Sequence, residues 1–574
     1  MTKTRFITRP YDPAVSTRLV AEGYSRPVAQ ALAGRNVISR SDMDTAFSAL
    51  VSPKSLPGAG RAAQLLADAL TRGDRVAVVG DYDCDGATAC TVALRGLTMM
   101  GFSPSRLCYF VPRRLDMGYG LSPVVVDTLC EENGRPDLIV TVDNGTTSFE
   151  GVARCRELGI RVIITDHHLT GRELPEADCF VNPSAPGSLG CPLLRNLAGV
   201  GVFFYVLIAL RSELRSRGFF SGRPEPNLAS LLDLVALGTV ADVVPLDRNN
   251  RILVAQGIRR LRAGRGSAGL GALFSLATQS RRPLSTLSVK DLGFALAPRI
   301  NAAGRISSMD IGIECLLSGP DSAMGHAQRL EAINQQRKDI EQGMQAEAQE
   351  LLEHMALGSR KSLVLYHKNW HQGLVGLISS RIKEQVNRPV IAFADVGEGL
   401  LRGSGRSVPG LQLRDALESV NSARPGMLLK FGGHALAAGL TIRKEALEDF
   451  SEAFEETVRA AAGPDTFTQE ILVDGALSPE EFTFRLIHEI DSIVWGQNFE
   501  APLFANTFHV VHQQLLRGGE HLRALVETGG QTLEAVFFRH GELLPETARL
   551  AFRPDVNEWQ GRRTLQLLIE NMEA

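Results

Sequence analysis

The segment Val76–Gly86 reads VAVVGDYDCDG, an unbroken apolar run that leads directly into three aspartates. Two further segments repeat this pattern: Leu138–Val142 before Asp143, and Val162–Ile164 before Asp166, His167 and His168. An uninterrupted apolar run is typical of a strand buried on both faces of a parallel sheet. Ligands of open α/β sheets collect beyond the carboxyl ends of such strands. The sequence therefore predicts an α/β fold with a site at one edge of a parallel sheet.

The chemistry of these polar clusters predicts a metal site. A crowd of carboxylates is costly unless divalent cations neutralise it, because close like charges raise one another's pKa. Oxygen ligands with one or two imidazoles suit Mn²⁺ or Mg²⁺, and the predominance of carboxylates over thiolates in the clusters argues against structural zinc. We expect two ions. A solvated acidic turn is the alternative for 81–86 and an ordinary structural turn is the alternative for Asp143-Asn144-Gly145, whereas Asp166-His167-His168 is the stronger signal. A Ca²⁺ loop is disfavoured because Asp81–Asp85 follows a strand.

Composition describes an ordinary globular protein. The 574 residues are 44% hydrophobic and 22% charged, with a formal net charge of -3, which excludes fibrous and disordered classes and gives no global basic field. Eight cysteines without a Cys-x-x-Cys pair suggest reduced thiols. The N-terminus lacks a signal-peptide core, and the longest apolar run, Gly199–Leu210, is too short to span a bilayer. We expect a cytoplasmic protein without a membrane segment.

Patterning divides the chain into five predicted parts. They are an N-terminal extension (1–55), an α/β domain in which strands and helices alternate (56–320), a long amphipathic connector helix (321–357), a second α/β domain (358–462) and a β-rich C-terminal domain (463–574). The C-terminal strands suit a small barrel, with an OB-like fold as the leading hypothesis. Within the second α/β domain, we expect a glycine-rich loop at 403–410.

These motifs carry a family resemblance. The aspartate cluster at 81–85, Asp143-Asn144-Gly145 and Asp166-His167-His168 resemble the DHH phosphoesterase superfamily, and Phe431-Gly432-Gly433-His434 resembles its associated DHHA1 domain. Further blocks are similar to the bacterial single-stranded-DNA-specific exonucleases within that superfamily: 109–114 through 118–120, 196–201, 236–246, 298–305, 370–373 and 403–407. The resemblance extends over nearly the full length and implies two α/β domains around a cleft, joined by the long helix and followed by an OB-like barrel.

The resemblance also implies roles for the clustered residues. The expected metal ligands are Asp81, Asp83, Asp85, Asp143, His167 and Asp242. Asp143 would bridge the two ions, whereas Asp166 and His168 would orient the ligands and complete the catalytic set. Whether Asp81 or Asp83 binds directly is left open. Asp242 is expected after an apolar strand, where its alternative role is to cap the next turn.

Substrate-binding residues are expected at three other places. Ser404 and Arg406, in the glycine-rich loop, are suited to hold a terminal 5′ phosphate, with Arg114 as a third candidate. Arg299, Asn301 and Arg305 are expected at an entrance that admits one strand, and His434 beside a substrate phosphate. The alternatives are an ordinary flexible turn at 403–407 and a structural histidine at 434.

The resulting functional prediction is a metal-dependent exonuclease. It would degrade single-stranded DNA from 5′ to 3′ into 5′-mononucleotides during recombination and repair, by two-metal hydrolysis. The alternative is a phosphodiesterase or pyrophosphatase of the same superfamily that acts on small nucleotides or short oligonucleotides. A third hypothesis, a non-catalytic DNA-binding scaffold, is opposed by the complete set of acidic ligands. The family suggests a single-strand-binding protein and a helicase as partners, and a monomer.

Overall fold

The structure is a computed structural model that describes residues 4–114, 116–186, 191–355, 360–463, 466–559 and 561–573. It divides into two units. The site unit, as we call it, contains Ser41–Arg337 and Val494–Glu500. The barrel unit contains Met1–Arg40, Lys338–Ile493 and Ala501–Ala574.

The helices and strands follow the chain in a simple order, with short 3₁₀ turns between several of them. The first part contains β1 (Thr4–Thr8), α1 (Pro13–Ala21), α2 (Arg26–Ala33), α3 (Ala59–Arg72), β2 (Val76–Val79), α4 (Cys84–Met99), β3 (Leu107–Phe110), α5 (Pro123–Asn133), β4 (Leu138–Val142), α6 (Phe149–Glu157), β5 (Arg161–Thr165) and β6 (Cys179–Val181). The helical middle contains α7 (Gly199–Ser216), α8 (Leu232–Ala241), α9 (Arg248–Arg262), α10 (Ala268–Ala277), α11 (Val289–Asp291), the π-helix Leu292–Leu296, α12 (Ala297–Ile306), α13 (Asp310–Leu317) and α14 (Pro320–His354). The last part contains β7 (Leu363–Tyr366), α15 (Val375–Val386), β8 (Val390–Asp395), β9 (Leu400–Arg406), α16 (Leu413–Ala423), β10 (Leu428–Gly433), β11 (Ala437–Arg443), α17 (Leu447–Ala461), β12 (Gln469–Val473), α18 (Phe484–Asp491), β13 (Phe504–Leu516), β14 (His521–Thr528), β15 (Gln531–Phe538), β16 (Thr547–Trp559) and β17 (Arg562–Met572).

The predicted parallel sheet is confirmed in the site unit. Its strand order is β3-β2-β4-β5-β6, and every neighbouring pair is parallel. Strands β2 and β4 are buried along their whole length, as their apolar sequences predict. The strand order reverses direction between β2 and β4, and this switch point is where open α/β sheets bind ligands.

The predicted alternation of strands and helices ends earlier than expected. After Val181 the described part of the site unit is helical, from α7 to α13. The apolar segment before Asp242, which we expected to be a strand, is helix α8, and Asp242 is the C-cap of that helix. Because α8 is buried almost all round, its sequence lacks the amphipathic period that distinguishes a helix from a buried strand.

The barrel unit contains a second sheet of order β10-β11-β9-β8-β7. Strands β7 and β8 are parallel, and the other pairs are antiparallel. The expectation of a glycine-rich loop at 403–410 is wrong for its first half, because 400–406 is the inner strand β9. A Cβ on Gly403 would lie 2.5 Å from a ring carbon of Phe393, so the glycine provides room for packing within a strand.

The predicted OB-like barrel is confirmed. Strands β13-β14-β15-β17-β16 form a closed barrel in which only the β15–β17 pair is parallel among the described strands. Phe504, Phe508 and Phe552 fill its interior with tilted or edge-to-face rings. In the same unit, β1 pairs in parallel with β12, and Phe6 is buried there beside Val473.

The long helix predicted from the apolar stripe is present as α14, Pro320–His354. Ala327, Leu330, Met344, Ala348 and Leu352 are buried on it, as the three- and four-residue spacing predicts. The end of the predicted range, at 356 and 357, lies outside the described residues. No helix in the described ranges is both long enough and apolar enough to cross a membrane.

Candidate metal centre

Three adjacent strands bring the predicted clusters to one edge of the parallel sheet. Strand β2 lies beside β4, and β4 lies beside β5, so the segments that follow Val79, Val142 and Thr165 leave the sheet side by side. Three groups of side chains have ligand atoms within 4.8 Å of one another: Asp81 with Asp83 and Asp143; Asp85 with His167 and Asp242; and Asp143 with His167 and His168. Residues from four separate parts of the sequence therefore converge in one site.

The aspartates after β2 are fixed by local backbone geometry. Asp83 is the N-cap of α4, and its side chain accepts a hydrogen bond from Gly86 N at 2.9 Å. Asp81 is buried and accepts a hydrogen bond from Tyr82 N at 2.7 Å. A Cβ on Gly86 would collide with the backbone of Asp81, so this turn requires a glycine.

Asp85 is held by the N-terminus of a different helix. Its two carboxylate oxygens accept hydrogen bonds from Gly199 N at 2.6 Å and Val200 N at 3.0 Å, at the start of α7. Helix N-termini favour negative charge, so α7 stabilises the carboxylate and fixes its orientation. Burial, followed by the charge of Asp83, nevertheless raises the pKa of Asp85 to about 7. Each oxygen keeps a lone pair that is free for a cation.

Asp143 and His167 form the centre of the cluster. Asp143 Oδ1 lies 3.2 Å from His167 Nε2, and Asp242 Oδ2 lies 3.4 Å from the same nitrogen. Neither Asp143 Oδ1 nor His167 Nε2 has a hydrogen-bond partner, although both atoms are buried. Burial raises the pKa of Asp143 well above its ordinary value, and it lowers the pKa of His167 to about 4. Neutral imidazole is the form that binds metals.

These unpartnered atoms test whether a divalent cation fits. Buried polar atoms are normally hydrogen-bonded, so two unpartnered atoms that face each other are suited to share a cation. Burial, and after it the charge of neighbouring carboxylates, raises the pKa values of Asp81 and Asp242 well above normal. Carboxylate oxygens with one neutral imidazole match the donor set that Mn²⁺ and Mg²⁺ accept. The residues present therefore fit such ions.

Asp166 and His168 stabilise the cluster through hydrogen bonds. Asp166 is fully buried and accepts hydrogen bonds from Thr146 N at 2.9 Å, His167 N at 2.8 Å and His168 Nδ1 at 2.7 Å. These bonds overcome the effect of burial and hold the pKa of Asp166 well below its usual range. Burial alone would lower the pKa of His168, but the hydrogen bond and charge of Asp166 raise it to about 9. The pair is an internal ion pair beside the ligands.

The sequence alone assigned no role to several supporting residues. Tyr119 Oη lies 3.3 Å from Asp143 O and 3.1 Å from His168 Nδ1. Asn144 Nδ2 donates to Val79 O at 3.0 Å and Val142 O at 2.9 Å, which ties the ends of β2 and β4 together. Gly199 is required because a Cβ there would lie 2.5 Å from Asp143 Oδ1. Tyr119 and Gly199 lie in blocks that carry the family resemblance, which was the available signal.

Several of the predicted substrate residues in the site unit make contacts within the protein. Asn301 Oδ1 accepts a hydrogen bond from Cys84 N at 2.8 Å, so it positions the loop that carries Asp83 and Asp85. Arg299 is largely buried; its guanidinium donates to Ala295 O at 2.6 Å and pairs with Glu331. Arg305 follows on the same helix, α12. Arg114 lies over the ring of Tyr82, with Cζ 4.9 Å from the ring centroid.

The predicted phosphate residues of the barrel unit lie close together. Ser404 and Arg406 are on β9, and Arg406 Nη1 donates to Ser404 Oγ at 3.1 Å. A Cβ on Gly376, in the first turn of α15, would lie 3.0 Å from Ser404 Oγ and 3.2 Å from Arg406 Nη2. This glycine therefore brings a helix N-terminus against a serine and an arginine. His434 is exposed in the turn between β10 and β11.

Family models match three parts of the chain. Residues 75–239 match the DHH family, N-terminal domain; residues 359–460 match the DHHA1 domain; and residues 473–571 match the RecJ OB domain. The DHH match covers the clusters after β2, β4 and β5, and ends shortly before Asp242.

Curated relatives match over nearly the whole chain. The single-stranded-DNA-specific exonuclease RecJ of Escherichia coli (strain K12) is 46% identical over 555 residues, which cover 94% of this chain and 94% of the relative. The RecJ of Thermus thermophilus is 32% identical over 511 residues, 88% of this chain and 69% of the relative.

Two similar solved structures carry the same protein name as these relatives. The crystal structure of RecJ from Thermus thermophilus in complex with Mn²⁺ has a TM-score of 0.81 at 28% identity, and the match covers 100% of this chain and 79% of that chain. The corresponding Mg²⁺ complex has a TM-score of 0.77 at 27% identity and covers 100% of this chain and 78% of that chain. The chain therefore belongs to the family of RecJ single-stranded-DNA-specific exonucleases.

Proposed function

We propose that this protein is a metal-dependent exonuclease that hydrolyses single-stranded DNA from its 5′ end. The observation that carries the proposal is the pair of buried, unpartnered ligand atoms, Asp143 Oδ1 and His167 Nε2, 3.2 Å apart within a ring of carboxylates. Membership of an exonuclease family adds the substrate class, because the full-length relatives are named single-stranded-DNA-specific exonucleases.

Two divalent ions, Mn²⁺ or Mg²⁺, are the proposed cofactors. Asp81 and Asp83 would hold one ion, and Asp85, His167 and Asp242 would hold the other, with Asp143 shared between them. The solved complexes of a relative with Mn²⁺ and with Mg²⁺ support this choice of metals. Bound there, the ions would supply Lewis-acid stabilisation of the charge that develops on the phosphodiester.

The protein's own residues prepare this site in three ways. The amides of Gly199 and Val200 orient Asp85, so its carboxylate need not reorganise when the site fills. The neutral state of His167 leaves one of its ring nitrogens with a lone pair for a cation. The Asp166–His168 pair fixes the backbone of the histidine segment through hydrogen bonds to the amides of His167 and His168.

Substrate binding requires a second set of residues. Ser404, Arg406 and the N-terminus of α15 would bind the terminal 5′ phosphate, because a helix N-terminus with an adjacent guanidinium suits an anion. Arg114 would add a further positive charge, and His434 would contact a phosphate. We propose that Arg299, Asn301 and Arg305 act mainly through α12, which positions the Cys84 segment and helps to limit access to a single strand.

A phosphodiesterase or pyrophosphatase specific for small nucleotides is not favoured. The match to exonuclease relatives includes the C-terminal barrel as well as the DHH and DHHA1 regions. A single-strand-binding protein and a helicase as partners, a monomeric state and a cytoplasmic location are further parts of the proposal, and they are suggested by the family.

The deciding experiment is digestion of one oligonucleotide labelled at either end. With Mn²⁺ or Mg²⁺, the 5′ label should be released first as a mononucleotide from a single strand, whereas a blunt duplex and an EDTA-treated reaction should remain intact. The matched control is Asp143→Ala at equal concentration, which excludes a contaminating nuclease. Early release of the 3′ label, or undiminished digestion in EDTA, would overturn the proposal.

A further inference from the structure

Phe294 is the most exposed large apolar side chain among the described residues. Its exposed fraction is 85%, whereas the next values in the site unit are 65% for Leu193 and 62% for Leu169. A single exposed apolar residue is common on protein surfaces and needs no explanation by itself. The inference rests on what surrounds Phe294 in the chain and in space.

The backbone that carries Phe294 is unusual and is held in place. Leu292–Leu296 is a π-helix, a rare form that occurs mostly as single turns within α-helices and frequently at functional sites. Arg299 Nη1 donates to Ala295 O at 2.6 Å, and a Cβ on Gly293 would lie 3.3 Å from Val240 Cγ1. The residues on both sides of Phe294 are therefore anchored, while its own ring faces solvent.

This segment is next to the candidate metal centre. Val240 lies two residues before the proposed ligand Asp242, at the end of α8. Helix α12 follows the π-helix directly and carries Asn301, whose Oδ1 accepts from Cys84 N at 2.8 Å. Phe294 precedes Asn301 by seven residues, which corresponds to about 10 Å along a helix. The backbone segment that carries the ring is thus continuous with a helix that contacts the ligand-bearing loop.

A second exposed apolar residue lies at the same place. Val243 follows Asp242, is 59% exposed and has a φ of 62°, a left-handed conformation that a β-branched residue rarely adopts. Its N donates to Val240 O at 3.3 Å, and Gly293 lies beside the same residue, because a Cβ added there would be 3.3 Å from Val240 Cγ1. Backbone strain of this kind persists where the surrounding structure imposes it, and it clusters at ligand sites.

We infer that Phe294 is a base-stacking platform that holds a nucleobase of the single strand beside the metal centre. An aromatic ring stacks on any base, which suits an exonuclease that must accept every sequence in turn. Val243 supplies adjacent apolar surface. The inference rests on the proposed function. It adds a residue that binds a base to a site whose other groups would bind phosphates and metal ions.

The test combines one protein substitution with a scan of the substrate. Oligonucleotides carry a single abasic residue at successive positions from the 5′ end, and KM and kcat are measured for wild type, Phe294→Ala and Phe294→Trp. The wild type should show a KM raised about tenfold when the abasic residue occupies one particular position, since the stack is lost there. Phe294→Ala should raise KM for the intact strand by a similar factor and lose this positional sensitivity, with kcat little changed. Phe294→Trp should restore both the wild-type KM and the sensitivity to the position of the abasic residue.

Phe47→Ala is the matched control, because it removes the same ring from a partly exposed position of the site unit, in the short helix Phe47–Ala49. It should keep the positional pattern of the wild type. Wild-type kinetics in Phe294→Ala, or a wild-type KM that rises equally wherever the abasic residue is placed, would overturn the inference. Failure of wild type to digest the intact strand would instead overturn the proposed function, so the two failures are distinguishable.

Discussion

At the scale of single residues, the metal centre depends most on Asp143. Its Oδ1 is buried without a hydrogen-bond partner, and it belongs to two of the ligand groups. We predict that Asp143→Ala folds normally but hydrolyses single-stranded DNA only at background level and binds Mn²⁺ more weakly in calorimetry. Folding is expected to survive because the substitution removes a buried carboxylate that is crowded by Asp85 and Asp83.

A matched control for this substitution is Asp127→Ala. Asp127 lies in the same unit on α5, is partly exposed and pairs with Arg154 at the surface. Exposed ion pairs contribute little, about 0–1 kcal/mol, so this variant should retain wild-type activity and metal binding. Near-normal hydrolysis by Asp143→Ala would show that the proposed centre is wrong.

Asp166 should act through its neighbours and not as a ligand. It holds the imidazole of His168 and the amides of Thr146 and His167, but it is in none of the ligand groups found among the described residues. We predict that Asp166→Asn lowers activity or Mn²⁺ affinity about 10- to 100-fold, as loss of an outer hydrogen-bond partner does. Raising the Mn²⁺ concentration should restore part of the activity of Asp166→Asn, whereas the activity of Asp143→Ala should stay at background level.

At the scale of elements, the N-terminus of α7 is a positioning device. A Cβ on Gly199 would lie 2.5 Å from Asp143 Oδ1, and Gly199 N donates to Asp85. We predict that Gly199→Ala reduces activity at least tenfold, because the methyl group displaces a ligand carboxylate. Gly271→Ala, in α10 with nothing within 4 Å of the added Cβ, is the control and should stabilise the protein by about 0.4–1 kcal/mol without loss of activity.

Helix α17 is held to the start of β7 by one carboxylate. Glu455 accepts hydrogen bonds from Lys361 N, Ser362 N and Ser362 Oγ, all between 2.8 and 3.0 Å. Burial opposes ionisation, but these bonds lower the pKa of Glu455 below its ordinary value. We predict that Glu455→Gln lowers the free energy of unfolding of the barrel unit by about 1–2 kcal/mol at pH 7.

The difference in free energy of unfolding between wild type and Glu455→Gln should depend on pH because the pKa of Glu455 is lowered. A carboxylate with a depressed folded-state pKa stabilises the fold above its unfolded pKa of about 4.3, and the contribution is lost as pH falls through the lower, folded value. Thermal unfolding of wild type and Glu455→Gln should therefore converge between about pH 5 and pH 3. Glu456→Gln is the control, since Glu456 is largely exposed, and should differ from wild type by less than about 0.5 kcal/mol.

The elements also differ in how far the sequence could predict them. Strands β2 and β4 are predictable because burial on both faces produces an unbroken apolar run, and α14 is predictable because its stripe has the helical period. The segment before Asp242 is apolar throughout, so a buried helix and a buried strand have the same signature. Strand β9 was not predicted because Gly403 and Gly405 have low strand propensity. The close packing of side chains such as Phe393 and Leu413 against them explains why glycines are present.

At the scale of the whole molecule, the polar clusters could be predicted from the sequence, but the hydrogen bonds that hold them in place could not. The convergence of Asp81, Asp143 and His167 follows from parallel strands that share one sheet edge. The amides that orient Asp85 belong to Gly199 and Val200, more than a hundred residues away in the sequence. Because nearly every residue has a backbone N–H, the sequence does not show which amides will donate to a given side chain. Tertiary hydrogen bonds of this kind can be found only once the fold is known.

The division into two units predicts where metal binding should stabilise the molecule. All the proposed ligands lie within Ser41–Arg337, and the ions would bind the folded site unit in preference to its unfolded state. Such linkage stabilises the binding unit by about 2.7 kcal/mol at a metal concentration about a hundred times Kd. Hydrogen exchange with and without Mn²⁺ should therefore slow for amides of β2, β4, β5 and the start of α7, whereas the barrel strands β13 to β17 should exchange at unchanged rates. Asp143→Ala should lose the effect, and uniform slowing in both units, or none in β2 and β4, would contradict a centre built at this edge of the sheet.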